Sequence, residues 1–276
     1  MIKGCWSNSS NVKKVIYLAV IVGSVGICFV GIDSSANQRQ QRKIEYAKAT
    51  IENEAVKIKR LDTKIIHFYQ DGQEEFLIDP IDMSSVEAVE KDIASLKTTA
   101  SDFGLKDEDF SIDNSEVSKE KKALVDKISD IKNKQAIQGE ISALLVQSPT
   151  KWTKENLDIV ISEDTTLEKI TSISGKITKS EKSWNVSMMA LLKEIEMQVT
   201  QYNALKQSID AMIVGEELTT EANLENFISS YNQLELIKNE TLRNRLNSKL
   251  ETIDQLLNEQ AMNHEEIPSE EVLPAE

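Results

Sequence analysis

Apolar positions along this chain fall into two regimes. One stretch, Val15–Ile32 (VIYLAVIVGSVGICFVGI), is eighteen residues without a charge or a proline. Beyond it, apolar residues recur every three or four positions among Glu, Lys, Asn and Gln, the signature of amphipathic helices. A helix through Val15–Ile32 roughly matches a bilayer's hydrocarbon core, which takes about 17–25 residues, and satisfies its own backbone hydrogen bonds there. The pattern predicts a membrane helix followed by a large helical domain.

Other readings of Val15–Ile32 stay open. A cleaved secretory signal has an apolar core of about 7–15 residues. This one is slightly longer, though Ser34-Ser35-Ala36 offers a cleavage site. A lipoprotein signal fits less well, because Ile27 stands before Cys28 where a small residue is wanted. A buried core helix is disfavoured by Lys13-Lys14 at one end and Asp33-Ser34-Ser35 at the other. Gly23 and Gly26 lack the four-residue spacing of the membrane dimerisation motif.

The chain leaves this stretch as a helical stalk over 33–60. Ile44, Ile51, Ile58 and Ile65 recur every seven residues, and Ala47, Glu54, Leu61 and Phe68 follow each by three. That heptad-like seam, flawed at Glu54, supports two readings: a coiled coil that dimerises the chain, or an amphipathic face packed on its own domain. Asp71-Gly72 signals a turn between apolar flanks; a hairpin fits, but the run into Ile65 and Phe68 favours a helix ending near Gln70 with Gly72 as its cap. Past Pro80, Ser84 or Ser85 can cap a helix with the stripe Val86, Val89, Ile93 and Leu96. Residues 98–118 read as an acidic loop. Asp107, Asp109, Ser111 and Asp113 alternate as in a calcium loop, but Ile112 and Ser118 occupy the positions where its glycine and glutamate belong, so a solvated acidic loop is expected.

Two long helical stretches then resemble each other. Lys119–Val146 closes in Ile141-Ser-Ala143-Leu144-Leu145-Val146, and Ser187–Val214 in Ile209-Asp-Ala211-Met212-Ile213-Val214. After a break, Thr153-Lys-Glu-Asn156-Leu157 in one corresponds to Thr220-Glu-Ala-Asn223-Leu224 in the other, with each threonine expected to cap a helix. The two matches are 68 and 67 residues apart, which predicts an internal repeat. Each long helix would finish one unit and start the next. A diverged first copy covers 61–134 with the acidic loop as an insertion, a second covers 135–198, and a third covers 199–260. Leu242, Leu246, Leu250, Ile253 and Leu257 line one face of a closing helix that would cap the array. Residues 261–276, with five glutamates and two prolines, are expected to be disordered. The fold class is thus all-α: an N-terminal transmembrane helix, then an elongated array of helical repeats joined by long shared helices.

Composition sharpens this picture. Glycine and proline are scarce, at 9 and 4 of 276 residues, as suits helices. Net charge is −14, and residues 1–32 hold only Lys3, Lys13 and Lys14, so the remainder carries −17. Such a surface repels nucleic acid and anionic headgroups and suits basic partners. The two cysteines, Cys5 and Cys28, both precede the soluble part, which excludes a disulfide framework or thiol chemistry there. Basic flanks give orientation. Lys13-Lys14 abut the apolar run, whereas Arg39, Arg42 and Lys43 lie further off. We weight the abutting pair, which puts residues 1–14 in the cytoplasm as a short tail and the large domain outside the cell membrane; the reverse topology stays open.

Candidate chemistry is sparse. The two histidines are His67, on a helix, and His264, in the tail. No phosphate-binding glycine loop, nucleophile elbow or metal-spaced helix motif occurs, and the acids interleave with lysine as on a solvated face. No catalytic, cofactor-binding or metal-ligating residue is assigned, and a non-enzymatic role is expected. Trp152 could staple the helix start at Thr153, and core or inter-repeat packing is expected for both Trp152 and Trp184; an exposed tryptophan in a glycan or peptide groove is the sharper alternative.

The apolar stretch, the paired Ile-x-Ala and Thr-x-x-Asn-Leu elements and the closing helix Leu242–Ile253 together resemble envelope proteins of Gram-positive bacteria that mount a helical-repeat ectodomain on one membrane helix. Similar helical segments occur in surface adhesins and in the extracellular part of the streptococcal mid-cell division-site anchor. The resemblance covers about residues 61–260 and implies a surface role. Two departures stand out. Leu273-Pro274-Ala275-Glu276 is not followed by the apolar segment and basic tail of sortase attachment, and the long cytoplasmic region of the division anchor has no counterpart in the 14 residues before Val15. The expectation is a single-pass membrane protein presenting a binding domain to a protein or cell-wall partner. A structural subunit of a secretion, conjugation or division complex, dimerised through the Ile44–Phe68 seam, is the alternative. A sensor is third, since so short a tail holds no effector domain.

Overall fold

In the computed structural model, residues 9–70, 72–154 and 158–265 are described, with side chains from residue 37 to residue 262 of that set. The protein is mostly helical. Helices α1 (Ser9–Ile66), α2 (Met83–Ala94), α3 (Ser115–Ser142), α4 (Leu167–Ser174) and α5 (Ser183–Met212) lead into a small hairpin of β1 (Ile213–Val214) and β2 (Glu217–Leu218). Helices α6 (Leu224–Leu234) and α7 (Glu240–Glu265) follow. The side chains of Val15–Ile32, in α1, lie outside the described residues. No helix among the described residues is long and apolar enough to cross a membrane.

The chain forms two compact units. The first comprises Met1–Phe68 and Pro80–Ser129, the second Tyr69–Asp79 and Asp130–Glu276. In the first, the seam on α1 turns inward. Ala47, Ile51, Ile58, Leu61, Ile65 and Phe68 are all buried within this one chain, as are Val86, Val89 and Ile93 of α2 and Leu124 and Ile128 of α3. Of the two readings of the seam, its burial here matches the one in which it packs on its own domain. Its polar flaw is buried too. Glu54 is 3% exposed, with Oε1 2.9 Å from the Lys57 ammonium and Oε2 without a hydrogen-bond partner. Lys127 pairs with Asp62 at 2.8 Å, and Lys121 donates to the Leu96 carbonyl at 2.6 Å, tying α3 to α1 and to the end of α2.

The acidic loop departs from expectation. It contains two 3₁₀ turns, Ala100–Phe103 and Asp107–Asp109, and α3 begins at Ser115, four residues earlier than read. Phe103 is buried against Ala47 and Ile51, with Leu105, Phe110, Ile112 and Val117 packed around them. Phe110 stacks on Phe103 at 6.1 Å, and Tyr46 meets Phe103 edge-on at 6.1 Å. The loop is an apolar cover on α1 with its acids turned to water. Gly104 closes the first turn at φ 62°, a left-handed conformation that glycine adopts without strain, and its carbonyl accepts from the Lys43 ammonium at 3.0 Å.

In the second unit one core runs from Ile137, Ile141 and Leu144 of α3 and the residues just after it, through Met188, Leu191, Ile195, Leu205 and Ile209 of α5, to Leu242, Leu246, Leu250 and Ile253 of α7. The segment Tyr69–Asp79 belongs to it, with Phe76 packed against this core. Each of α1, α3 and α5 is followed by a short antiparallel return: Tyr69 pairs with Leu77, Leu145 with Ile161, and Ile213 with Leu218. Gly72 thus lies in a hairpin-like return instead of capping a helix that reaches Gln70, while Asp71 lies outside the described residues; α1 stops at Ile66, and Gln70 binds the Phe76 and Leu77 carbonyls through its backbone and side chain. Gly215, at φ 67°, opens the two-residue turn between β1 and β2.

The helix caps also differ. Thr166 caps α4 and Asn223 caps α6, each accepting from a backbone N–H three residues on. Thr220 does not start a helix, and residues 155–157, which follow Thr153 in the motif, lie outside the described residues. Thr153 precedes an extended run in which Ile159 and Ile161 are buried and Val160 lies between, half-buried. The alternation of β-branched residues there is a strand signal. Asp82, not Ser84 or Ser85, caps α2, and both serines donate to it. Helix α7 continues to Glu265, past the point where disorder was expected to begin; the rest of that tail lies outside the described residues.

Candidate functional site

The second unit holds most of the buried polar groups among the described residues. Lys134 of α3 is 5% exposed. Its ammonium lies 2.7 Å from Asp130, 5.3 Å from the centroid of the Tyr69 ring and 5.7 Å from that of Trp184. A cation between two aromatic faces and a carboxylate is an attractive arrangement, strengthened by exclusion of water. Burial, with the nearby Asp130 and Glu74 charges, raises the Tyr69 phenol above its ordinary pKa of 10.0. Both ionic groups are thereby consumed in packing the return segment on α3 and α5.

A second polar cluster holds the extended run 159–161. Gln198 of α5 donates to the Ile159 carbonyl at 2.9 Å and accepts from the Ile161 amide at 3.4 Å. Asn239 donates to the Ile161 carbonyl at 2.8 Å and accepts the Leu242 amide at 2.9 Å, which caps α7. A short strand with one partner leaves backbone groups that must be satisfied otherwise, and these two amides do so.

The residues singled out by sequence take structural places. Trp152 and Trp184 are both buried, so neither shows a face to a glycan or peptide. The Trp152 indole donates to Asp79 at 3.2 Å. His67 is exposed, and the His264 side chain lies outside the described residues. Asp107 is exposed and Asp109 half-buried in a 3₁₀ turn, and Asp113 accepts the Ser115 amide and hydroxyl at the start of α3. Hydrogen bonds from Ser115 hold the Asp113 carboxyl below the usual range. Among the described residues, no three His, Cys, Asp or Glu side chains are grouped to hold a metal ion.

The described residues also form a cleft and a groove. A cleft of about 570 Å³ lies beside the start of α7, lined by Val146–Thr150, Asp158–Val160 and Lys238–Thr241. Its polar groups include Asn239, committed to the cap, and Lys238, paired with Glu194 at 3.1 Å. A groove of about 240 Å³ lies between α6 and α7, lined by Phe227, Tyr231, Asn247, Leu250, Glu251 and Asp254. Phe227 and Tyr231 stack at 6.4 Å. Beside them Leu224, Ile228 and Tyr231 form an exposed apolar stripe, 69%, 49% and 55% accessible. The sequence reading passed over this stripe; its i, i+4, i+7 spacing was visible but indistinguishable from a core-facing one.

Comparison with known protein families, curated proteins and solved structures finds no match to this chain.

Proposed function

We propose that the protein is a non-enzymatic single-pass membrane protein, whose helical-repeat domain stands outside the cytoplasm as a binding module for a cell-wall or envelope partner. The observation that carries this reading is α1. It runs as one helix of 58 residues, with the apolar Val15–Ile32 stretch near one end and the buried seam Ala47–Phe68 at the other. A helix continuous from anchor to core mounts the domain directly on the membrane, with no flexible linker between.

Three copies of one repeat account for the element order. A long helix, an antiparallel return and a short helix recur from α1, from α3 and from α5. Leu61-Ile65-Phe68, Ile137-Ile141-Leu144 and Leu205-Ile209-Met212 have the same spacing, and all nine residues are buried. Solenoid-type repeats of this kind present binding surfaces, and the resemblance to Gram-positive envelope proteins points the same way. Retention of peptidoglycan or envelope protein from an extract by the detergent-solubilised full chain tests the binding role. The expected result is saturable retention above a bare-resin control; retention of nothing above that control contradicts it.

A further inference from the structure

We propose that the groove between α6 and α7 docks a basic amphipathic segment of a partner protein. In this arrangement an arginine guanidinium lies over the Phe227–Tyr231 rings and against the Glu251 and Asp254 carboxylates. The proposal rests on the reading of the chain as a binding module and names the chemistry of what it binds.

The three short helices use their apolar residues differently. Helix α2 buries Val86, Val89 and Ile93, and α4 buries Ile170 and Ile173. Helix α6 instead buries Ser230 and Leu234 and turns Leu224, Ile228 and Tyr231 outward. Folding does not account for so much apolar surface in one row, and contiguous exposed patches mark interaction sites.

The groove beside the stripe sets the partner's charge. Glu251 accepts from the Asn247 amide at 2.7 Å, and neither Glu251 nor Asp254 has a cationic partner among the described residues. Arg243, one turn before Asn247, is turned to the Ile237 carbonyl at 3.5 Å. Aromatic faces beside carboxylates without a cationic partner complement a planar guanidinium, which stacks on the rings and donates two parallel hydrogen bonds from its edge. The same carboxylates disfavour a second copy of this chain, its own acidic C-terminal end, nucleic acid and anionic wall polymers. A helix bearing leucine-like residues for the stripe and arginine for the groove matches both parts, in the helix-in-groove mode.

The test measures binding of a labelled helical peptide, arginine on one face and leucine on the other, to the full chain in detergent. The wild type is expected to bind saturably. The pair Glu251→Gln and Asp254→Asn, or Tyr231→Ala alone, is expected to weaken binding about tenfold, as for close charge pairs and aromatic anchors at interfaces. The control pair Glu87→Gln and Glu116→Gln removes the same charge from exposed sites elsewhere and is expected to leave affinity unchanged. Replacing the peptide's arginines by lysines is expected to weaken it. Equal loss in groove and control variants, no saturable binding by the wild type, or binding of N-acetylglucosamine oligomers at the groove in place of the peptide would overturn the proposal. The substituted residues Tyr231, Glu251 and Asp254 are exposed, and an unchanged thermal unfolding midpoint verifies that the variants fold. If the chain retains envelope material and the groove variants retain it equally, this proposal alone falls; if the wild type retains nothing, the binding-module reading falls with it.

Discussion

Lys134 shows how a charge becomes part of a core. A lone ammonium at 5% exposure would be strongly destabilising, but here Asp130 at 2.7 Å and the faces of Tyr69 and Trp184 replace its water. The Tyr69 hydroxyl is drawn into the same cluster, and burial first, then the Asp130 and Glu74 charges, raises its pKa. The sign of the consequence follows from proton counts. Above pH 10 the unfolded chain releases the tyrosine proton while the folded chain retains it, so the folded state is the poorer for alkali. Stability is full below the unfolded value and falls as pH rises beyond it, by up to about 1.4 kcal/mol per pH unit from this one group. Urea midpoints followed by tryptophan fluorescence between pH 9 and pH 11 are expected to decline. Tyr69→Phe is expected to flatten that decline, and an unaltered slope would count against the assignment.

At the scale of elements, period decided what was legible. The stripes of α2 and α7 and the long helices α3 and α5 could be read directly, because apolar residues at three- and four-residue spacing have one good use in a polar chain. The seam on α1 was legible as a face but not as to its partner, since an intramolecular and an intermolecular neighbour ask for the same residues. The returns were not legible as such. Two-residue pairings such as Leu145 with Ile161 carry too few residues to show alternation, and threonines at Thr153 and Thr220 looked like caps with as much right as Thr166 and Asn223. The acidic loop misled because its charges outnumber Phe103 and Phe110, yet those two rings fix its place. Asn239 joins a return to a helix, and its loss tests that link. Asn239→Ala removes both the α7 cap and the bond to the Ile161 carbonyl, and is expected to cost about 2 kcal/mol. Asn239→Asp keeps the cap acceptor and is expected to recover part of that loss in the same urea titration.

For the whole molecule, the candidate site was less legible than the fold. Trp152 and Trp184 drew attention as large side chains, and both went inside, whereas the α6 stripe passed as another core face. Only the packed structure separates an apolar face that is used from one left open. The central claim is that α1 anchors this domain at the membrane and holds it outside the cytoplasm. Protease treatment of intact cells expressing the chain with a C-terminal tag, beside alkaline carbonate extraction of their membranes, tests it most directly. The account predicts that the chain stays in the membrane pellet and that external protease removes the tagged domain before lysis. A chain released by carbonate, or a tagged domain cleaved only after lysis, would contradict it.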